Sequence, residues 1–202
     1  MTTSEKTAAV SRTSAEEAAR SGIWVGIAAI TMTFAAFTSA IIVREGTDTA
    51  WHHMTLPAVL YFNTLVLILS SITLELSRRP VAARIDRRDE AGEVNSRIGQ
   101  FWLAGTLVLG LAFLFGQYMA WRELASQGLF LATNPSSSFF YVLTAVHGVH
   151  LLGGLAALGY LTGKLSMPAP RLRRSTVEAT AIYWHFMGGL WIYLLLVMRT
   201  RL

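Results

Sequence analysis

The sequence has no cysteine among its 202 residues. This absence excludes a disulfide framework, iron–sulfur clusters and metal sites built from thiolates. Charged residues are also scarce, since they make up 14% of the chain, against about 25% in a typical soluble domain. Hydrophobic residues make up 53%, and the mean hydropathy is +0.45. This balance indicates a membrane protein rather than a soluble one.

Five long apolar stretches remain when the chain is divided at its charged residues. A membrane-spanning helix needs about 20 apolar residues, and none of the stretches shows the alternation of a barrel strand. We therefore predict an all-α membrane protein, a bundle of five transmembrane helices at about 22–43, 55–76, 99–121, 139–162 and 176–198. Residues 1–20 are predicted to form a solvated N-terminal tail, in which 13–20 could form a short surface helix, ahead of a five-helix membrane domain at 21–202.

Lysine and arginine are distributed unevenly among the segments between the spans. Of the 17 in the chain, the N-terminal tail holds three, the segment between spans two and three holds six, and the segment between spans four and five holds four. Because such segments stay on the cytoplasmic side, we predict that the N-terminus is inside and the C-terminus outside. Orientation explains the basic residues, so no nucleic-acid partner is expected.

Internal repeats and broken helices are typical of transporters. The sequence shows no repeat, and within the predicted spans proline occurs only at Pro57, near the start of the second span. A membrane transporter therefore stays open only as an alternative function.

Ionisable residues inside a membrane are costly, so each one is a candidate for function. Three interpretations of the histidines are open: a haem held by His150 and His185, a metal held by His147 and His150, or histidines that only hydrogen-bond to neighbouring helices or lipid head groups. The metal interpretation lacks a carboxylate near the two histidines at the middle of the membrane, and one helix supplies only two ligands. The structural interpretation is favoured.

Two carboxylates, Glu75 and Glu178, lie at the inner ends of their predicted spans. We expect interfacial carboxylates that pair with arginines such as Arg78 and Arg174, and a proton-collecting role is the alternative. The uncharged polar residues Asn63 and Gln117 are predicted to hydrogen-bond across helices.

Two stretches carry a specific pattern. Residues 139–154 include His147-Gly148-Val149-His150, and Tyr183-Trp184-His185-Phe186 is followed by Trp191 and preceded by Glu178. The pattern resembles the five-helix bacterial form of cytochrome c oxidase subunit III, in the haem–copper oxidase subunit III family. The resemblance covers all five spans and includes Asn63-Thr64, Ser70-Ser71 and Gln117.

The resemblance implies a non-catalytic integral membrane subunit of a terminal oxidase in aerobic respiratory electron transport, in the bacterial cytoplasmic (inner) membrane. Such a subunit stabilises the catalytic subunit, binds phospholipids and supports proton uptake. Haem and copper are expected in partner chains, the catalytic subunit I and the copper-bearing subunit II, and no catalytic, cofactor-binding or metal residue is expected in this chain. A subunit-III-like protein associated with nitric oxide reductase is the alternative within the family.

The residues that the resemblance marks are candidates for lipid or subunit interfaces. They are His147, His150, Glu178, Tyr183, Trp184, His185, Trp191, Asn63 and Gln117, with Glu75 and Glu178 as inner-surface carboxylates.

Two departures from the family pattern mark a divergent member. A glutamate of the first helix falls at Ile30, and an aspartate of the last helix falls at Gly188. With no carboxylate facing it, the imidazole of His150 is expected to hydrogen-bond to hydroxyl groups, with Thr31, Thr33, Thr144 and Tyr183 as candidates.

Overall fold

The computed structural model describes residues 3–47, 51, 54–86, 90–167 and 174–202. These residues form five α-helices: α1 (Thr3–Thr47), α2 (Val59–Asp86), α3 (Glu90–Ser126), α4 (Pro135–Leu165) and α5 (Arg174–Arg201). Each helix contains a segment long and apolar enough to cross a membrane, and no strand occurs within these ranges. The predicted all-α fold with five spans is confirmed, and the chain is a multi-pass membrane protein.

Burial on α2 and α3 follows an alternating spacing of three and four residues. A period of 3.5 is typical of helices that pack side by side along one continuous seam. The contacts between α2 and α3 are the most extensive in the fold. The buried positions with this spacing are Leu60, Asn63, Leu67, Ser70, Leu74, Ser77 and Val81 on α2, and Leu103, Thr106, Gly110, Phe113, Gln117, Ala120 and Leu124 on α3.

The centre of the bundle is formed by α4 and α5. Helix α5 contacts α1, α2 and α4, and α4 contacts α1, α3 and α5. Helix α1 is peripheral, since among the described residues it contacts only α4 and α5. Its buried apolar residues are Ile30, Phe34 and Ile41.

Helices α1, α2 and α3 extend beyond the predicted spans into the polar segments that flank them. Helix α1 begins at Thr3, so the helix at this end is much longer than the one expected at 13–20. The polar segment between spans two and three is largely helical, because α2 reaches Asp86 and α3 begins at Glu90. Its arginine, alanine and glutamate residues favour a helix even without burial. Pro80 lies inside α2, beyond the predicted end of the second span at residue 76 but within the apolar part of the helix.

Local signals set the starts of two helices. Helix α2 starts at Val59 rather than near 55, because a proline at position 57 disfavours helical backbone in the residue before it. Helix α4 starts earlier than predicted, after the N-cap Asn134, whose side chain accepts a hydrogen bond from the Ser137 amide at 2.7 Å. Pro135 follows at the first helical position, where its missing N–H costs nothing.

Candidate functional site

His147 is enclosed in the centre of the bundle. Its side chain on α4 is 0% exposed. The centroid of its ring lies 5.9 Å from that of Phe113 on α3 and 5.2 Å from that of Trp191 on α5. Neither ring nitrogen has a hydrogen-bond partner among the described residues.

His150 faces α1 instead. Its ring centroid lies 6.1 Å from that of Phe34, and its Nδ1 lies 2.8 Å from the carbonyl oxygen of Val146 in the same helix. The hydroxyl of Tyr183 on α5 donates a hydrogen bond to the main-chain carbonyl of His150 at 2.8 Å. His150 therefore joins α4 to α1 by packing and to α5 by its backbone.

The hydroxyl partners predicted for the His150 imidazole are wrong. Thr31, Thr33 and Thr144 each donate to a carbonyl of their own helix, and Tyr183 reaches the His150 backbone rather than its ring. A hydroxyl on a helix readily bonds the carbonyl four residues earlier. These threonines are therefore already satisfied locally.

Glu75, Arg78 and His185 form a small charged group, here termed the α2–α5 cluster. His185 Nε2 lies 3.7 Å from Glu75 Oε2, and Arg78 Nη1 donates to both carboxylate oxygens of Glu75, at 3.1 and 2.9 Å. All three side chains are 39–58% exposed. Glu75 lies at the inner end of its predicted span, and the structure places His185 beside it.

The structure gives no support to a haem between His150 and His185. The first ring packs against Phe34 of α1, and the second faces Glu75 of α2. His147 and His150 also point to different helices. Within the described ranges, no group of three or more His, Cys, Asp or Glu residues is arranged to hold a metal ion.

Both interfacial carboxylates lie near arginines, as predicted. Glu75 bonds to Arg78, and Glu178 Oε1 lies 3.9 Å from Arg174 Nε on the same helix. Glu178 is well exposed, so this ion pair contributes little to stability.

Two buried tryptophans of α5 are hydrogen-bonded to α2. Trp184 Nε1 donates to Ser70 Oγ at 3.1 Å, and Trp191 Nε1 donates to Thr64 Oγ1 at 3.0 Å. Both indoles are 0% exposed. Sequence reasoning missed these hydroxyl partners. The available signal was the similar spacing of the polar pairs Asn63-Thr64 and Ser70-Ser71 on α2 and of Trp184 and Trp191 on α5, each seven residues apart.

Of the two buried amides, only Asn63 forms the predicted hydrogen bond to another helix within the described residues. Asn63 Nδ2 donates to the carbonyl of Phe113 at 3.4 Å, which confirms a bond across helices. Gln117 is 4% exposed, and its amide atoms have no partner among the described residues. The cross-helix bond expected for Gln117 is therefore absent from the contacts within the described chain.

Two mainly apolar grooves flank α5. The groove between α2 and α5 has a volume of about 390 Å³ and ends at the α2–α5 cluster. The groove between α1 and α5 has a volume of about 470 Å³. Gly189 lines both grooves, and Gly188, where the resemblance implies an aspartate in the family, lines the first. Ile30, where the resemblance implies a glutamate in the family, is buried in the core.

Comparison with known proteins gives consistent matches. Residues 27–200 match the family model described as "Cytochrome c oxidase subunit III". A Synechocystis protein named "Cytochrome c oxidase subunit 3" is 33% identical over 171 residues, which cover 80% of this chain and 66% of that protein. An Aeropyrum pernix protein named "Heme-copper oxidase subunit I+III" is 30% identical over 186 residues, which cover 85% of this chain and 21% of that protein.

A Mycobacterium tuberculosis protein named "Probable cytochrome c oxidase subunit 3" is 33% identical over 135 residues. The match covers 66% of this chain and 62% of the mycobacterial protein. The family match, in contrast, extends over parts of all five helices. The chain therefore belongs to the cytochrome c oxidase subunit III family.

Proposed function

We propose that this chain is the non-catalytic subunit III of a haem–copper terminal oxidase in aerobic respiratory electron transport. The observation that carries the proposal is the family match over residues 27–200, which reaches every span. In this role the chain lies in a bacterial cytoplasmic membrane with its N-terminus inside and its C-terminus outside.

The proposed partners are the catalytic subunit I and the copper-bearing subunit II. The Aeropyrum pernix relative supports the first, since its name combines subunits I and III. Haem and copper belong to these partners in the proposal, because the three intramembrane histidines of this chain have separate surroundings and share no site. One contribution of this chain is mechanical: its buried Trp184 and Trp191 hold α5 against α2, which gives the partner a rigid surface.

Phospholipid binding in the two grooves beside α5 is part of the proposal. Glycines 188 and 189 leave space for acyl chains. At one end of the first groove, the cation of Arg78 and the carboxylate of Glu75 are suited to the charges of a lipid head group.

Support for proton uptake is assigned to the α2–α5 cluster. A carboxylate and an imidazole 3.7 Å apart, both open to their surroundings, are groups that can exchange protons with water. The uninterrupted spans of α1 to α5 in the described residues do not favour the transporter alternative, because transporter sites usually lie at broken helices.

The test is recovery of the chain from native membranes with an affinity tag, followed by mass spectrometry and an optical spectrum. We expect subunits I and II to co-purify and the complex to show haem absorbance. The chain expressed alone is expected to show no Soret band. Recovery without a haem-bearing polypeptide, or a Soret band from this chain alone, would contradict the proposal.

A further inference from the structure

Unpaired buried polar atoms are concentrated in three side chains, here termed the polar layer: Asn63 on α2, Gln117 on α3 and His147 on α4. Among the described residues, every fully buried side-chain nitrogen or oxygen without a partner belongs to this layer. The atoms are Asn63 Oδ1, both amide atoms of Gln117 and both ring nitrogens of His147. Buried polar groups are nearly always hydrogen-bonded in folded proteins, and in a membrane no bulk water is available to them.

Phe113 shows that Asn63 and His147 approach the same part of α3. Asn63 Nδ2 donates to its carbonyl at 3.4 Å, and the His147 ring packs edge-on against its ring at 5.9 Å. Asn63 Oδ1 also rests on Gly116, where an added Cβ would lie only 2.0 Å from that oxygen.

Gln117 lies on the same side of α3 as these contacts. It follows Phe113 by one helical turn and precedes Trp121 by one turn, so the three share a face. Both flanking residues contact α4: Phe113 packs on His147, and Trp121 Nε1 donates to Thr144 Oγ1 at 3.0 Å. Gln117 therefore lies along α3 between these two contacts with α4, and it directly follows Gly116, which Asn63 contacts.

The chemistry of the polar layer selects a small neutral ligand. The buried polar residues of the described chain include no Asp, Glu, Lys or Arg, so a cation would have no balancing charge in the membrane interior. The layer offers both donors and acceptors, because an amide has both and a neutral imidazole has one of each. Water matches this set, and buried water typically makes about three such hydrogen bonds.

We propose that Asn63, Gln117 and His147 bind ordered internal water that hydrogen-bonds α2, α3 and α4 together. This site is separate from the grooves beside α5 and does not depend on the proposed function. It gives Gln117 the bond across helices that no side chain of the described residues supplies.

An experimental structure of the purified protein at a resolution that shows water tests the proposal. We expect non-protein density within about 3.2 Å of the Gln117 amide and of a His147 ring nitrogen. Direct hydrogen bonds among the three side chains, with no density between them, would overturn it.

Variants supply a second readout. Gln117→Leu is expected to remove the water density, whereas Gln127→Leu, at an exposed glutamine beyond α3, is expected to leave it unchanged. An infrared O–H band that is distinct from the band of bulk water and shifts when the sample is prepared in H₂¹⁸O is expected from the unsubstituted protein and from Gln127→Leu. Absence of that band from the unsubstituted protein would count against the proposal even if Gln117→Leu fails to fold.

Discussion

The indole nitrogen of Trp184 donates a hydrogen bond to Ser70 Oγ at 3.1 Å, and this bond joins α5 to α2 in the buried interior. The Ser70 hydroxyl in turn donates to the carbonyl of Leu67 at 2.7 Å. Ser70 thus accepts a hydrogen bond from the only polar side-chain atom of a fully buried tryptophan. Its own hydroxyl proton is donated within α2. The tryptophan of the Tyr-Trp-His-Phe pattern is therefore a link between helices.

Ser70→Ala is expected to destabilise the protein by about 1–3 kcal/mol, because it leaves the Trp184 N–H buried without an acceptor. The control is Ser71→Ala, which removes a hydroxyl at the edge of the α2–α5 groove and is expected to cost less than about 0.5 kcal/mol. Thermal unfolding in detergent measures both. An equal loss of stability in the two variants would contradict a stabilising role for the hydrogen bond from the indole.

Gly110→Ala is expected to destabilise the protein by about 1–3 kcal/mol through overpacking. A Cβ at this position would lie 2.7 Å from Leu155 Cδ2 and 2.8 Å from Trp184 Cη2. Gly105→Ala on the same helix has no atom within 4 Å of its Cβ and is expected to be neutral or slightly stabilising. The unfolding midpoints of the two variants measure the difference, and a tolerated Gly110→Ala would contradict the close packing of Leu155 and Trp184 against α3.

Gly188→Leu is expected to reduce the phospholipid retained after gentle extraction, since the new side chain would occupy the α2–α5 groove. The matched control is Gly105→Leu, at a glycine that lines neither groove beside α5. Quantitative lipid mass spectrometry of both variants and the unsubstituted protein gives the comparison. Unchanged lipid content in Gly188→Leu would remove this groove as a lipid site.

Cysteines introduced at Ser96 and Ser126 are expected to react with a membrane-impermeant thiol reagent from opposite sides. The two positions flank the span of α3, and the chain has no native cysteine to interfere. The distribution of lysine and arginine predicts that position 96 faces the cytoplasm. Gly105→Cys, within the span, should stay unlabelled. Labelling of positions 96 and 126 from one side would refute the predicted topology.

His150→Gln is expected to weaken assembly modestly and to leave proton uptake by the complex nearly unchanged. The imidazole bonds within its own helix and packs near Phe34, and no carboxylate of the described residues forms an ion pair with it. Glu75→Gln, in contrast, removes the carboxylate of the α2–α5 cluster and is expected to lower proton uptake. The measurement is proton uptake by the reconstituted complex that carries either His150→Gln or Glu75→Gln. Loss of uptake in an intact His150→Gln complex would show that His150 handles protons.

Much of the fold follows from the sequence alone. A helix depends on hydrogen bonds between residues four apart, and a span depends on about 20 consecutive apolar residues, so both are local properties. The five spans and the ion pairs within one helix, such as Arg78 with Glu75, are predictable for this reason. The family pattern around His147 and Trp184 is also visible without a structure.

The contacts between helices were decided only by the tertiary structure. In a membrane, an apolar side chain is equally compatible with lipid and with another helix, so hydropathy does not separate Leu65, which is 52% exposed, from Leu67, which is 2% exposed. Trp184 and Ser70 are 114 residues apart, and their bond depends on which face of α5 meets α2. The separate surroundings of the three histidines have the same origin, because helix rotation and neighbour choice are not local properties of the chain.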